Sequence, residues 1–100
     1  MGIEINWSPE ASETFDVNFN YLLEEWGDKA AANFFLQTEH AIKRMQLFPE
    51  SYPHGRKSKK YRRARLNKYI ALFYSYQKRK KVITLVSFWN VKQNPEKLKF

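Results

Sequence analysis

The chain has 100 residues, of which 43% are hydrophobic and 28% charged, and its formal net charge is +8. This length predicts one domain over residues 1–100, and the apolar content excludes a disordered tail as the main interpretation. Cysteine is absent, which excludes disulfides and thiolate-bound metals. The apolar runs are too short for a membrane span and no secretory signal is visible, so we expect a cytoplasmic protein.

The charge divides the chain into an acidic and a basic half. Residues 1–53 carry three Lys or Arg against nine Asp or Glu, a net charge of −6. Residues 54–100 carry fifteen Lys or Arg against one Glu, a net charge of +14. Eight of these cations lie between His54 and Tyr69 with no acid among them. A field of one sign attracts the opposite charge, so the basic half predicts a polyanionic partner, either nucleic acid or an acidic protein segment.

The acidic half reads as a strand followed by two helices. Ile3, Ile5 and Trp7 alternate with polar residues, which predicts a short strand with one buried face. Ser8 and the proline after it are typical of a helix start, and Gly27 is placed to end that helix. We expect Asp28 to cap a second helix that Pro49 stops, so that the short link forces an antiparallel hairpin.

Each predicted helix has one apolar stripe. We therefore expect both helices to pack on the same face of a sheet. The stripe of the second helix also includes Phe48. The predicted shared core consists of Phe15, Phe19, Leu22, Phe34, Phe35, Ile42 and Met45.

After the second helix the sequence predicts a loop over residues 50–60 and three β-rich runs over residues 61–66, 69–76 and 82–89. Asn67 and Lys68 are a plausible tight turn, and the last two runs form a predicted hairpin. Residues 90–100 form a polar tail. The expected fold class is α+β with the order β-α-α-β-β-β, an antiparallel sheet and a helical hairpin packed on one of its faces.

The run GRKSKKYRRARL is the main chemical feature of the sequence. On a strand, Arg63 and Arg65 share one face while Arg62, Ala64 and Leu66 share the other. Cations on both faces predict a sheet with one open, basic side, and Tyr61 is the best candidate there for stacking on a base. The alternative is an edge strand protected from aggregation by charge. The candidate residues for binding nucleic acid or an acidic partner are Arg56, Lys57, Lys59, Lys60, Arg62, Arg63, Arg65, Lys68 and Lys92.

Signals for catalysis are sparse. The basic half has one carboxylate, so we expect neither a metal site nor a cofactor, and any RNA cleavage would be metal-free. Cations would stabilise charge on the phosphate, while a Tyr, Lys or His would move protons. The catalytic residues stay unknown at this stage, and the candidates are Arg62, Tyr61 and His54.

Four local patterns in this order resemble the RelE/ParE superfamily of bacterial toxins from type II toxin–antitoxin pairs. They are INWSPEA, LLEEWG, YRRARLNKYIALFY and FWNVKQNP, and they span nearly the whole chain. The resemblance implies growth inhibition, a role in plasmid stabilization and an acidic antitoxin that wraps the toxin. It also implies a target, either gyrase–DNA in ParE-like members or ribosome-bound mRNA in RelE-like endoribonucleases. A homodimer and a toxin–antitoxin hetero-oligomer are both compatible with it.

The resemblance carries over to individual residues unevenly. Arg62 matches the family's arginine on the strand after the loop, the lysines at 57, 59 and 60 match its cationic loop, and Lys92 stands at an arginine position. Tyr74 matches a tyrosine of the middle strand, where packing is an equal alternative. Active RelE-like nucleases commonly have a Tyr or His near the end of the chain, and residues 90–100 contain neither. This favours the ParE-like branch, with a RelE-like nuclease and a non-toxic nucleic-acid-binding module as alternatives.

We also expect an acidic segment of the partner to bind across the strand that carries Arg62, Arg63 and Arg65. Because this attraction is between charges, its contribution to association should fall as salt rises.

Overall fold

The order of elements in the computed structural model, which describes residues 2–92 and 100, is the predicted one. Two helices stand between a first strand and three further strands. The elements are β1 (Glu4–Trp7), α1 (Pro9–Trp26), α2 (Asp28–Leu47), β2 (Arg62–Arg65), β3 (Ile70–Gln77) and β4 (Val82–Asn90). No helix in the described part of the chain is both long and apolar enough to cross a membrane.

The ends of α1 follow from three residues of the sequence. The Ser8 hydroxyl accepts a hydrogen bond from the backbone N–H of Ala11 at 3.0 Å, and Pro9 takes the first helical position. At the other end, Gly27 has a φ of 93°, a conformation that favours glycine. Gly27 also occupies the N-cap position of α2, so the expectation that Asp28 caps this helix is wrong. Asp28 lies in the first turn instead, where its negative charge interacts favourably with the helix dipole.

The sheet has the order β1-β4-β3-β2 and is mixed. β3 pairs antiparallel with both β4 and β2, as the predicted hairpin requires. β1 pairs parallel with β4, which differs from the expected wholly antiparallel sheet. In this register Ile5 lies beside Ile83, so the buried face of the first strand joins the core.

Both helices pack on one face of the sheet. The core cluster contains Phe34 and Met45 from α2 together with Leu72, Leu85 and Phe88 from the sheet. Four further predicted core residues pack against this cluster: Phe15, Phe19, Leu22 and Ile42.

Two expectations for the stripe of α2 are wrong. Phe35 is 46% exposed, whereas its neighbour Phe34 is 1% exposed. Consecutive helical residues are rotated by about 100°, so two adjacent phenylalanines cannot both face the sheet. Phe48 lies just after α2 and is also exposed.

Candidate nucleic-acid interface

Strand β2 separates its arginines onto the two faces of the sheet. Ala64 pairs with Leu72 and is fully buried on the helix side, which places Arg62 on that side as well. Arg63 pairs with Phe73 and Arg65 pairs with Ala71, on the opposite side. We call this opposite side the open face, because the helical hairpin does not cover it.

An aromatic cluster lies on the open face. Phe100 is 5% exposed and stacks on Phe73, with the ring centroids 4.9 Å apart. It also meets Tyr61 edge to face at 5.0 Å, and Trp89 packs against the same cluster. Sequence reasoning missed Phe100, because a single phenylalanine in a polar tail carries no signal of where it docks.

The basic loop is attached to this cluster through backbone contacts. The N–H of Lys57 donates to the carbonyl oxygen of Phe100 at 3.1 Å. A Cβ atom on Gly55 would lie 2.5 Å from that oxygen, so only glycine permits this approach. The loop that carries the predicted cations is therefore held beside the open face by Phe100.

A depression of about 310 Å³ lies where the loop, β2 and the cluster meet. Arg56, Arg63 and Arg65 line it together with Phe73 and Trp89. Guanidinium groups suit phosphate oxygens because they donate in a planar fork, and aromatic faces suit stacking of a base. The arrangement has the chemistry to bind nucleic acid without metal. We call this depression the arginine pocket.

Arg62 has a different environment from Arg63, the next residue of β2. One of its terminal nitrogens donates to the carbonyl oxygens of Tyr52 at 2.7 Å and Glu50 at 3.1 Å. The other lies 3.8 Å from the Glu50 carboxylate. Arg62 thus ties the loop after α2 to the sheet, on the side away from the arginine pocket.

Tyr74, which the resemblance singles out, is a buried packing residue. Its hydroxyl donates to the carbonyl oxygen of Pro49 at 2.8 Å. Burial raises the pKa of Tyr74 to about 12, although the charge of Arg62 opposes this. Burial also raises the pKa of Tyr52, whose ring lies edge-on to Tyr74 and carries the Arg44 guanidinium above it. Both hydroxyls are neutral at pH 7.

The remaining predicted residues are spread over two surfaces. Lys59, Lys60 and His54 are exposed in the loop, and the ammonium of Lys60 lies 5.5 Å from the ring centroid of Tyr61. Six of the nine predicted binding residues lie in the pocket or the loop: Arg56, Lys57, Lys59, Lys60, Arg63 and Arg65. The stacking candidate Tyr61 lies there as well. Lys68 and Lys92 lie elsewhere, and the ammonium group of each is close to the ring of Tyr69.

Comparisons with known proteins agree with this fold. The family model described as "ParE toxin of type II toxin-antitoxin system, parDE" matches residues 5–95. A structure of the chromosomal ParDE system from P. aeruginosa has a TM-score of 0.73 at 13% identity, covering 90% of this chain and 97% of that chain. The YoeB dimer from Staphylococcus aureus has a TM-score of 0.60 at 18% identity, covering 87% and 94%.

The heterotetrameric YoeB–YefM complex from the same organism gives a TM-score of 0.58 at 18% identity, with coverage of 87% and 94%. At these identities the structures show likeness of fold alone. No curated protein matches the sequence significantly. The family match extends over nearly the whole chain, and the protein therefore belongs to the ParE toxin family of type II toxin–antitoxin systems, within the RelE/ParE superfamily.

Proposed function

We propose that this toxin acts on a nucleic-acid-linked target, gyrase–DNA, through the arginine pocket on its open face. The observation that carries the proposal is the grouping of Arg56, Arg63 and Arg65 over an aromatic floor of Phe73 and Trp89. Cations of this kind bind phosphates, while the aromatic floor gives a stacking surface for an unpaired base. Growth inhibition and plasmid stabilization would follow from poisoning of that target.

Two observations favour gyrase over mRNA cleavage. The matching family is that of ParE toxins, and the gyrase target is the one that the ParE resemblance implies. Tyr74 is buried, bonded to Pro49 and has its pKa raised to about 12, so it does not serve as a proton-transfer group near neutral pH. A RelE-like endoribonuclease remains the second candidate, because the resemblance to the RelE/ParE superfamily implies either target.

An antitoxin partner is part of the proposal. The similar structures include one from a ParDE toxin–antitoxin system and one of the YoeB–YefM complex. The basic half of this chain, with its net charge of +14, calls for an acidic partner. A dimer of this chain is compatible with the similarity to the YoeB dimer.

Parallel assays of the purified protein on gyrase–DNA and on ribosome-bound mRNA test the proposal. We expect trapped gyrase–DNA breaks, and no discrete cuts in ribosome-bound mRNA. Arg63→Met should lower the yield of breaks, whereas Lys80→Met, in the exposed β3–β4 turn, removes the same charge and should not.

Other outcomes identify the alternatives. Discrete mRNA cuts without gyrase breaks would assign the RelE-like activity. DNA binding without toxicity on expression, and without either kind of break, would leave a non-toxic nucleic-acid-binding module.

A further inference from the structure

A second surface lies on the helix side of the molecule, between the α1–α2 connection and the β2–β3 turn. It is a groove of about 560 Å³ with an apolar floor that includes Phe34 and Ile70. Three aromatic side chains at the groove are unusually exposed for their size, at 69% for Trp26, 48% for Tyr69 and 42% for Tyr21. Clustered exposed aromatics around an apolar floor mark interaction sites. We call this surface the lysine groove, after Lys29, Lys68 and Lys92, which also line it.

The charged side chains that line the groove are all cationic. The ammonium groups of Lys68 and Lys92 lie 5.9 Å and 5.6 Å from the ring centroid of Tyr69, so both cations are held at the rim. Among the described residues, no Asp or Glu lines the groove. The lining of the groove is therefore complementary in charge to an acidic ligand.

The groove is formed before any partner binds. The Asn67 side-chain oxygen accepts hydrogen bonds from the N–H groups of Tyr69 and Ile70, at 2.8 Å and 3.0 Å. Its amide nitrogen donates to the side-chain oxygen of Gln37 at 2.9 Å. These bonds tie the β2–β3 turn to α2 and fix the distance between the walls. A rigid site loses little conformational freedom on binding.

We propose that the lysine groove binds an acidic protein segment that inserts one large apolar side chain beside Trp26 and Tyr69. The apolar floor beside exposed aromatic rings suits an apolar anchor residue of a protein segment, and the lysines around it can pair with carboxylates of the same segment. The identification of this segment as part of the antitoxin rests on the proposed function, whereas the binding of acidic peptides to the groove does not.

The two surfaces lie on opposite sides of the sheet, and the three tryptophans distinguish them. Trp26 lies in the lysine groove, Trp89 lies in the arginine pocket, and Trp7 stacks on Phe88. Each indole N–H gives its own signal in a ¹H–¹⁵N correlation spectrum of the full chain. Titration with Glu-rich peptides that carry a central Leu, Phe or Trp should shift the Trp26 signal and leave that of Trp89 in place. Glu→Gln counterparts of the peptides should bind at least tenfold more weakly.

Charge-matched variants separate the groove from the general basicity of the chain. The triple variant K29Q/K68Q/K92Q should bind the acidic peptides about tenfold more weakly, since exposed pairs contribute modestly. The control K78Q/R79Q/K80Q removes the same charge from the exposed β3–β4 turn and should bind within about twofold of the unaltered protein. Trp26→Ala should weaken binding about 30-fold, the scale of an anchor residue.

Several results would overturn the groove assignment. They are no binding by any peptide of the panel, a shift of Trp89 instead of Trp26, and equal losses in the two triple variants. A shift of Trp26 by single-stranded DNA, with none by the peptides, would make the groove a nucleic-acid site and reject the proposal. These measurements do not depend on gyrase. Peptide binding without gyrase breaks would reject only the proposed target. Gyrase breaks without peptide binding would reject only the assignment of the lysine groove as a peptide-binding site.

Discussion

Arg62 and Arg63 are consecutive residues of β2, yet they lie on opposite faces of the sheet and have different surroundings. Arg62 donates to the carbonyl oxygens of Glu50 and Tyr52 on the helix side, whereas Arg63 lines the arginine pocket on the open face. The period of two along a strand causes this separation. One arginine therefore holds the loop, and the other is available to a ligand.

This separation predicts opposite effects of two similar substitutions. Arg62→Met should lower the free energy of unfolding by about 2 kcal/mol, because charged hydrogen bonds to two loop carbonyls are lost. Arg63→Met should change it by less than about 0.5 kcal/mol. Arg63→Met should instead reduce the slope of the logarithm of the DNA-binding constant against the logarithm of salt concentration by about 1, which corresponds to the loss of one phosphate contact.

Urea denaturation and DNA titrations at several salt concentrations measure both effects. Equal destabilisation by the two variants would contradict the placement of Arg62 on the helix side.

The neighbours Phe34 and Phe35 provide a matched pair in α2. Phe34→Ala should cost about 3–5 kcal/mol, because the residue is 1% exposed and packs among other rings. Phe35→Ala should cost less than about 1 kcal/mol, because that ring is 46% exposed. Thermal denaturation followed by circular dichroism compares them. If Phe35→Ala unfolded the protein as readily as Phe34→Ala, the orientation of α2 would be wrong.

The close approach of Gly55 to Phe100 predicts a coupling between the two positions. Gly55→Ala should cost about 1–3 kcal/mol, because its Cβ would meet the Phe100 carbonyl oxygen at 2.5 Å. In a Phe100→Ala background the cost should fall below about 0.5 kcal/mol, since the backbone at residue 100 is no longer held by its ring. A double-mutant cycle in urea measures this coupling. Additive costs would show that the two residues do not depend on each other.

The raised pKa of Tyr74 predicts how stability depends on alkaline pH. An unfolded tyrosine titrates near 10, and in the folded chain burial raises the pKa to about 12. The neutral hydroxyl is favoured by folding, so its contribution is complete below pH 10 and is lost as pH rises towards 12.

Tyr74→Phe should therefore cost about 1 kcal/mol at pH 7, from the lost bond to Pro49. It should also lose less stability between pH 10 and 12 than the unaltered protein does. Tyr69→Phe, with an exposed ring, is the control, and titration of the lysines affects all three proteins alike. Parallel curves for Tyr74→Phe and the unaltered protein would contradict burial as the cause.

Local chemistry explains the parts of the fold that were predicted correctly. Ser8 and Pro9 mark the start of α1, and Gly27 marks its end, because capping and left-handed backbone depend on residues within one helical turn. The β3–β4 hairpin follows from two apolar runs around a short basic turn. The parallel pairing of β1 with β4 could not be inferred in this way, since it joins residues far apart in the chain.

The sequence by itself determined the order of elements, the excess of cations in the second half and the resemblance to toxins, because each depends on composition, spacing or short motifs. Tertiary structure alone decided which cations share a surface. It placed Arg62 in the loop contact, Arg63 in the arginine pocket and Lys92 beside Tyr69. It also brought Phe100 onto Phe73. The physical reason is that a side chain's neighbours depend on strand register and on contacts between distant residues, which local sequence patterns do not encode.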